Sequence, residues 1–246
     1  MYNQAGMVIL PKIRINIMHI EFFEGDRATQ YDDKIPTWVP NYRFIQQSIP
    51  AILKTYLPVG EERRLLIAGC GTGQEVAEIK QQVNSWKITG IDPSPQMIRL
   101  AQMKLAYWDN DPLLLLKTGV VSDLPADQKF DAATLILVLH FIPDDDEGKI
   151  KLLRNIAERL HKDAPLIISD IYAPDDFQLQ LKYFRQYMMD KGLDSQMVDQ
   201  GLQHVQVDTH RLTIHRLSEL LQEAGFHAPR LFSKAFYYGG WIVEKR

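Results

Sequence analysis

The chain has a single cysteine, Cys70, among 246 residues. One thiol excludes an intrachain disulfide framework and points to a reducing, cytoplasmic setting. No apolar run approaches the roughly 20 residues needed to cross a bilayer. The longest, such as Ala132 to Leu139, are strand-sized, so no membrane partner is expected. Neither sign of charge predominates: 28 basic and 31 acidic side chains give a net charge of -3. That balance argues against a broad electrostatic footprint for nucleic acid, although a local basic patch would survive the average. Internal repeats and low-complexity tracts are absent. No set of His, Cys and acidic residues has metal-ligand spacing. What remains is ordinary globular material, 46% hydrophobic and 24% charged, long enough for one or two domains.

Residues 1–24 read as an N-terminal extension. Met7 to Leu10 is apolar, Pro11 interrupts it, and Ile13, Ile15 and Ile17 alternate with polar residues. Lys12 and Arg14 follow the apolar run, whereas a secretory signal carries its positive charges before it. The stretch is therefore read as an edge strand or a tail, with Met18 as an alternative start. Residues 25–60 read as a helical lid. Between Val39 and Leu57 the residues Phe44, Ile45, Ile49, Ile52, Leu53 and Leu57 recur at helical spacing, and Pro50 is expected to kink or divide the helix.

From Arg64 onward strands and helices alternate. Arg64 to Ala68, Trp86 to Ile91, Leu113 to Lys117, Phe130 to Leu139 and Leu166 to Ile171 read as strands. Ser94 is an N-cap followed by Pro95 at the first helical position. Asp144 to Leu160 reads as a helix with acids at its start, where the macrodipole favours them. This alternation implies a parallel sheet with helices on both faces. The rhythm breaks at Tyr172 to Thr213, a polar, aromatic and Met-rich stretch expected to form one or two helices rather than a bare loop. A helix from Ile214 to Ala224 follows. Strands near Arg230 to Phe232 and Ala235 to Val243 come last, and their short connection makes them antiparallel.

Ligands of open parallel sheets bind beyond the carboxyl ends of the strands. Gly69, Gly71 and Gly73 follow the first strand and let the backbone approach a ligand closely. The next helix offers unpaired N–H groups to an anion. Gln74 stands where a dinucleotide fingerprint needs its third glycine, and no Lys-Ser/Thr pair follows for a Walker loop. Asp92 ends the second strand about 20 residues on, placed to accept hydrogen bonds from ribose hydroxyls. Together the turn and the acid describe a nucleoside site with an anion beside it. A glycine turn that merely packs helix on strand is the bland alternative.

The ordered series Leu65–Gln74, Gly90–Met97, and Phe130–Ala133 through Leu139–Pro143 resembles the successive motifs of class I S-adenosylmethionine-dependent methyltransferases. Ala224-Gly225-Phe226 and Tyr238-Gly239-Gly240-Trp241 resemble their C-terminal end. Tyr31-Asp32 and Pro40-Asn41-Tyr42 are similar to a segment that folds over the cofactor in many small bacterial members. The resemblance covers roughly residues 25 to 246. It implies an α/β fold, a seven-stranded, mostly parallel sheet with helices on both faces and an antiparallel last strand, plus a helical cap at about 172–213 within a domain spanning 61–246. It implies S-adenosylmethionine as cofactor, with S-adenosylhomocysteine as product. Tyr31, Gly69, Cys70, Gly71, Gly73, Glu75, Asp92, Pro93, Met97, Ser122, Asp123 and Leu137 would line its site. The chain departs from the family at Ile67 and Val120, where members commonly carry acids. Asp123 is the nearest replacement for the second. Glu75 is either the carboxylate for the methionyl ammonium or a residue that favours the helix dipole.

The implied reaction is methyl transfer from sulfonium to an oxygen or nitrogen of a small-molecule acceptor, with no nucleic acid partner, by a monomer or homodimer. A base is needed only where the nucleophile is protonated. His140, at the end of the fourth strand, is the candidate, weighed against a His packed on the cofactor or the cap. Trp38, Tyr42, Tyr172, Tyr183, Tyr187, His210 and Arg211 are candidate acceptor contacts; the aromatics among them fit a buried helix face equally well. Asp170 would serve a metal-dependent transfer only with a second inward acid, and His140 occupies that place. The run Asp144 to Glu147 reads as cap and dipole residues. Tyr31 onward and His210 to Phe226 also resemble the carboxy-S-adenosylmethionine synthase branch, which would need Arg211 or Arg185 to hold the added carboxylate. A non-catalytic S-adenosylmethionine-binding protein is the remaining alternative, suggested by Ile67 and Val120.

Overall fold

The computed structural model describes residues 25–144 and 147–246. The N-terminal extension, with its Met7–Leu10 run and Met18, lies outside them, as do Asp145 and Asp146. Arg64–Ala68, Lys87–Asp92, Leu114–Thr118, Ala132–Ile136 and Pro165–Ile171 form strands β1 to β5, and Arg230–Ala235 and Tyr238–Glu244 form β6 and β7. They make one sheet in the order β3-β2-β1-β4-β5-β7-β6. β1 to β5 pair in parallel, and β7 runs antiparallel to both β5 and β6. Every residue of β4 and β5 is buried, because helices cover both faces and leave no face for polar residues.

The helices are α1 (Gly25–Thr29), α2 (Tyr31–Trp38), α3 (Tyr42–Tyr56), α4 (Gln74–Gln82), α5 (Pro95–Lys104), α6 (Gly148–Arg159), α7 (Phe177–Asp190), α8 (Ser195–Val207) and α9 (Ile214–Glu223). One core joins α3, α4, α5, α7 and α8 to a sheet face through residues such as Ile49, Val76, Ile98, Phe184 and Val198. The other joins α6 and α9 through Ile150, Leu153, Leu217 and Leu221. Polar side chains start three of the helices as N-caps: Ser94 Oγ accepts from Met97 N (3.1 Å), Asp194 Oδ1 from Met197 N (3.0 Å) and Thr213 Oγ1 from Arg216 N (3.1 Å). Each such cap is worth about 1 kcal/mol.

Two local readings are corrected. Pro50 does not divide its helix: α3 runs through it from Tyr42 to Tyr56. Buried packing of Ile45, Ile49, Pro50 and Leu53 on the sheet outweighs one missing hydrogen bond. The helix after β4 starts at Gly148, so Asp144 and Glu147 do not lie in its first turn. Asp144 turns instead to Arg216 of α9 (2.9 Å), an ion pair from the segment before α6 to α9.

Strand order reverses between β1 and β4. The gap above their carboxyl ends is the place where this topology leaves a crevice.

Candidate functional site

The glycine loop crosses that gap. Gly69 N and Cys70 N both donate to Ile91 O (2.8 and 3.1 Å), and Gly73 N donates to Cys70 O (2.9 Å), which folds the loop tightly against β2. Gly69 has φ +77, and a Cβ there would lie 2.4 Å from a Val138 methyl carbon. No larger residue fits where the ends of β1 and β4 meet. Asp92 ends β2 with its carboxylate buried. Its Oδ2 accepts from Gly71 N and its Oδ1 from Ser94 N, both at 2.9 Å. Burial raises its pKa, opposed by those two amides. Cys70 is buried in the loop, and burial pushes its thiol well above the ordinary value, as suits a packing residue rather than a nucleophile.

A cavity of about 40 Å³ opens beside the loop. Tyr31 and Tyr42 from the lid, Gln46 from α3, Glu75 from α4 and Leu137 from the end of β4 line it. Leu137 sits in the left-handed region at φ 57, an uncommon conformation for such a side chain and one that recurs at functional sites. Burial raises the Tyr31 hydroxyl pKa, and the negative charges of Asp32, Asp92 and Asp170 add to the rise.

The lid is latched to the loop. Thr72 Oγ1 donates to Asp32 Oδ1 (2.6 Å), and Lys104 Nζ pairs with Asp32 Oδ2 (2.6 Å) while donating to Thr72 Oγ1 and Gln74 Oε1. On its far side Trp38 covers Gly201 of α8, where a Cβ would fall 2.3 Å from the ring. This contact joins lid to cap and explains a glycine within a helix.

Across the switch point stands a buried pair. His140 lies in a 3-10 turn after β4 with its Nδ1 2.5 Å from Asp170 Oδ1. Asp170 Oδ2 accepts from Val138 N and Leu139 N (3.1 and 2.6 Å), and Oδ1 also accepts from Ile171 N (2.7 Å). Lys149, without exposed surface, donates to Leu139 O and His210 O. His210 N donates in turn to His140 O (2.8 Å), so the segment between α8 and α9 is pinned to the histidine turn.

The remaining sequence candidates scatter. Met97 is buried and Pro93 lies in the turn after Asp92. Asp123 accepts from Val120 N (2.9 Å), and Ser122 is exposed beside it; both sit in the turn after β3. Tyr172 packs edge-on against Trp241 within the α6/α9 core. Tyr187 packs on Phe184 and Phe236 with Lys191 over its ring. Tyr183 is half exposed on α7, and the His210 side chain is exposed. Arg211 donates to Val205 O, Gln206 O and Thr209 O, closing the carboxyl end of α8. Asp170 as the partner of His140, together with Gln46, Lys149 and the Asp32 latch, eluded sequence reasoning. The signal for Asp170 was the matching position at the ends of adjacent strands, since Ile136 pairs with Ser169.

A methyltransferase-domain family model matches residues 66–166. A carboxy-S-adenosyl-L-methionine synthase of Idiomarina loihiensis is 24% identical over 231 residues, 91% of this chain and 92% of that protein. A demethylmenaquinone methyltransferase of Desulfitobacterium hafniense is 36% identical over 87 residues, 35% of this chain and 34% of its own length. Among solved structures, magnesium protoporphyrin IX methyltransferase from Synechocystis, with bound S-adenosylhomocysteine, matches with a TM-score of 0.68 at 16% identity over 94% of this chain and 99% of that one. Human N-acetylserotonin methyltransferase with S-adenosylmethionine matches at 0.64 and 17% identity, over 95% of this chain and 60% of that one. The chain spans 54% of the pyocyanin biosynthetic protein, which it matches at 0.60 with 16% identity over 82% of its own length. At these identities the structural matches speak for the fold.

Proposed function

We propose that the chain is a class I, Rossmann-like S-adenosylmethionine-dependent methyltransferase, as its methyltransferase-domain match and its fold support, that it methylates an oxygen or nitrogen of a small-molecule acceptor, and that His140 removes the acceptor's proton. The observation that carries this reading is the buried His140–Asp170 pair at the switch point, across from the glycine loop. With Nδ1–H donated to Asp170, the ring nitrogen left to take a proton is Nε2. The carboxylate then stabilises the imidazolium that results.

The chain's residues fit the cofactor on two observations: Gly69 clears backbone space against Val138, and Asp92 stands buried at the ribose position. When bound, the cofactor supplies a methyl group on a sulfonium, already electrophilic. Asp92 would hold the ribose, and the glycine loop would take the methionyl end. Tyr31 and Tyr42 would exclude water from above. Alignment of this kind is worth about 7–11 kcal/mol. The balanced charge supports a small acceptor over a nucleic acid, and a monomer or homodimer would suffice, since the candidate site is built within one chain.

Labelled S-adenosylmethionine incubated with a cell extract should deliver its methyl label to the small-molecule fraction. His140→Ala should lower the rate by about 10²- to 10⁴-fold with cofactor affinity changed less than about twofold. Label appearing only in RNA or protein would refute a small acceptor, and an unchanged His140→Ala rate would refute the base.

The Idiomarina relative and its counterparts favour a second reading, a carboxy-S-adenosylmethionine synthase. That reaction requires a cation for the added carboxylate. Arg185 is exposed and paired with Asp199 (2.7 Å), and Arg211 closes α8, so both candidate cations already have partners. The mass of the nucleoside that copurifies separates the two readings.

A further inference from the structure

A second cleft, of about 690 Å³, lies on the flank of the lid. None of the residues that line the small cavity beside the glycine loop lines this one. Helix α2 turns Ile35 and Trp38 to the core and Asp33 and Pro36 to the cleft. The other walls are the start of α3 and the turn between α7 and α8, so the cleft runs between lid and cap. Its volume falls within the range of about 300–1,000 Å³ that small-molecule sites occupy.

Two cations face this space. Arg43 stands in the first turn of α3, a helix that has no acidic residue. There it adds to the positive end of the macrodipole, where local preference disfavours it. The N-cap residue Asn41 makes no side-chain cap and donates instead to Ser233 Oγ (2.9 Å). Lys191 follows α7 with its ammonium 4.4 Å from the Tyr187 ring centroid. Neither cation has a carboxylate partner among the described residues. Of the two acids on the walls, Asp32 is already held by Lys104 and Thr72, which leaves Asp33 against two cations. Pro36, Pro40 and Leu193 add apolar wall.

We propose that this cleft is a second ligand site, for a small organic acid with an apolar body. The charges of Arg43 and Lys191 attract the carboxylate, and Pro36, Pro40 and Leu193 cover the body. The site is independent of the cofactor and acceptor assignments above. Arg43 belongs to the lid and Lys191 to the cap, so a bound acid bridges the two across the cleft.

Isothermal titration of the full chain tests this with naphthalene-2-carboxylate and octanoate, an aromatic and an aliphatic acid, and with the matching carboxamides as neutral controls. At least one acid should bind about tenfold or more tightly than its amide, and its affinity should fall as salt rises. Arg43 and Lys191 are exposed, so their variants should fold. Arg43→Ala and Lys191→Ala should each weaken the acid about three- to tenfold and the amide less than about twofold, while Arg43→Lys keeps most of the affinity. Leu193→Ser should weaken acid and amide alike. Hydrogen exchange should slow on both walls, in residues 32–43 and 188–194, when the acid is bound. Absence of binding by both acids, equal affinity for acid and amide, or wild-type affinity in both alanine variants would overturn the site. Slowed exchange on one wall alone would overturn the bridge. Methyl label passing from S-adenosylmethionine to the probe would place the acid in the crevice and overturn a separate site.

Discussion

Lys149 shows how one side chain can tie a candidate base to the cap. It has no exposed surface, and its ammonium bridges the carbonyls of Leu139 and His210. Burial lowers its pKa to about 8, against the opposing charges of Asp170 and Asp144. The unfolded chain holds that proton up to about pH 10.5, so between 8 and 10.5 the unfolded state binds more protons and stability rises with pH. Lys149→Met should cost about 2 kcal/mol at pH 7 by removing the ammonium that the Leu139 and His210 carbonyls share. The cost should be larger at pH 9.5, where only the wild-type protein gains from the linkage. Urea denaturation at both pH values measures this, and an equal cost would show that burial does not suppress the charge. Nothing in Gly148-Lys149-Ile150-Lys151 or its neighbours marks Lys149 as buried. Its depth follows from the segment around His210, whose carbonyl it meets.

At the scale of elements, α2 is held from two sides. The Asp32 carboxylate grips Thr72 of the glycine loop and Lys104 of α5, and Trp38 lies over Gly201 of α8. The ion pair is partly exposed, so its contribution to global stability is small, under about 1 kcal/mol. Its effect should appear locally: Asp32→Ala should speed cofactor release several-fold while shifting the denaturation midpoint little, as stopped-flow displacement and urea titration would report. Gly201→Ala places a carbon into the Trp38 ring and should cost about 1–3 kcal/mol despite alanine's better helix propensity. The helices themselves were legible from periodicity and caps, and Ser94-Pro95 is an example. Their mutual contacts were not, because Trp38 and Gly201 are distant in the chain and each alone reads as an ordinary residue.

For the whole molecule, Glu75 sets a pH dependence of stability opposite in sign to that of Lys149. Its folded pKa near 7 stands above an ordinary value of 4.5. The folded state therefore binds the extra proton, and the contribution is full below pH 4.5 and lost as pH rises to 7. The loss is roughly 3 kcal/mol at most for a shift of this size. Ligand-free protein should melt at a lower temperature at pH 8 than at pH 6. Glu75→Gln should flatten that difference, and saturating S-adenosylhomocysteine should reduce it in the wild-type protein. A steeper slope in the variant would contradict this assignment.

Local information carried the strands, the glycine turn, Asp92 and the antiparallel end of the sheet, because apolar runs, glycine geometry and short connections act over a few residues. It also carried His140 to the neighbourhood of the fourth strand's carboxyl end, where it lies in a 3-10 turn just after β4. The lie of Pro50 inside one helix and the start of α6 at Gly148 were beyond it, since packing on the sheet and the Asp144–Arg216 pair override local propensity. So was the pairing of His140 with Asp170, which depends on β4 and β5 lying side by side. The sequence by itself determined that a glycine turn follows β1 and an acid ends β2. Only the tertiary structure decided which buried groups face them, because Glu75, Gln46 and Tyr31 come from three helices that meet only when the lid packs on the sheet.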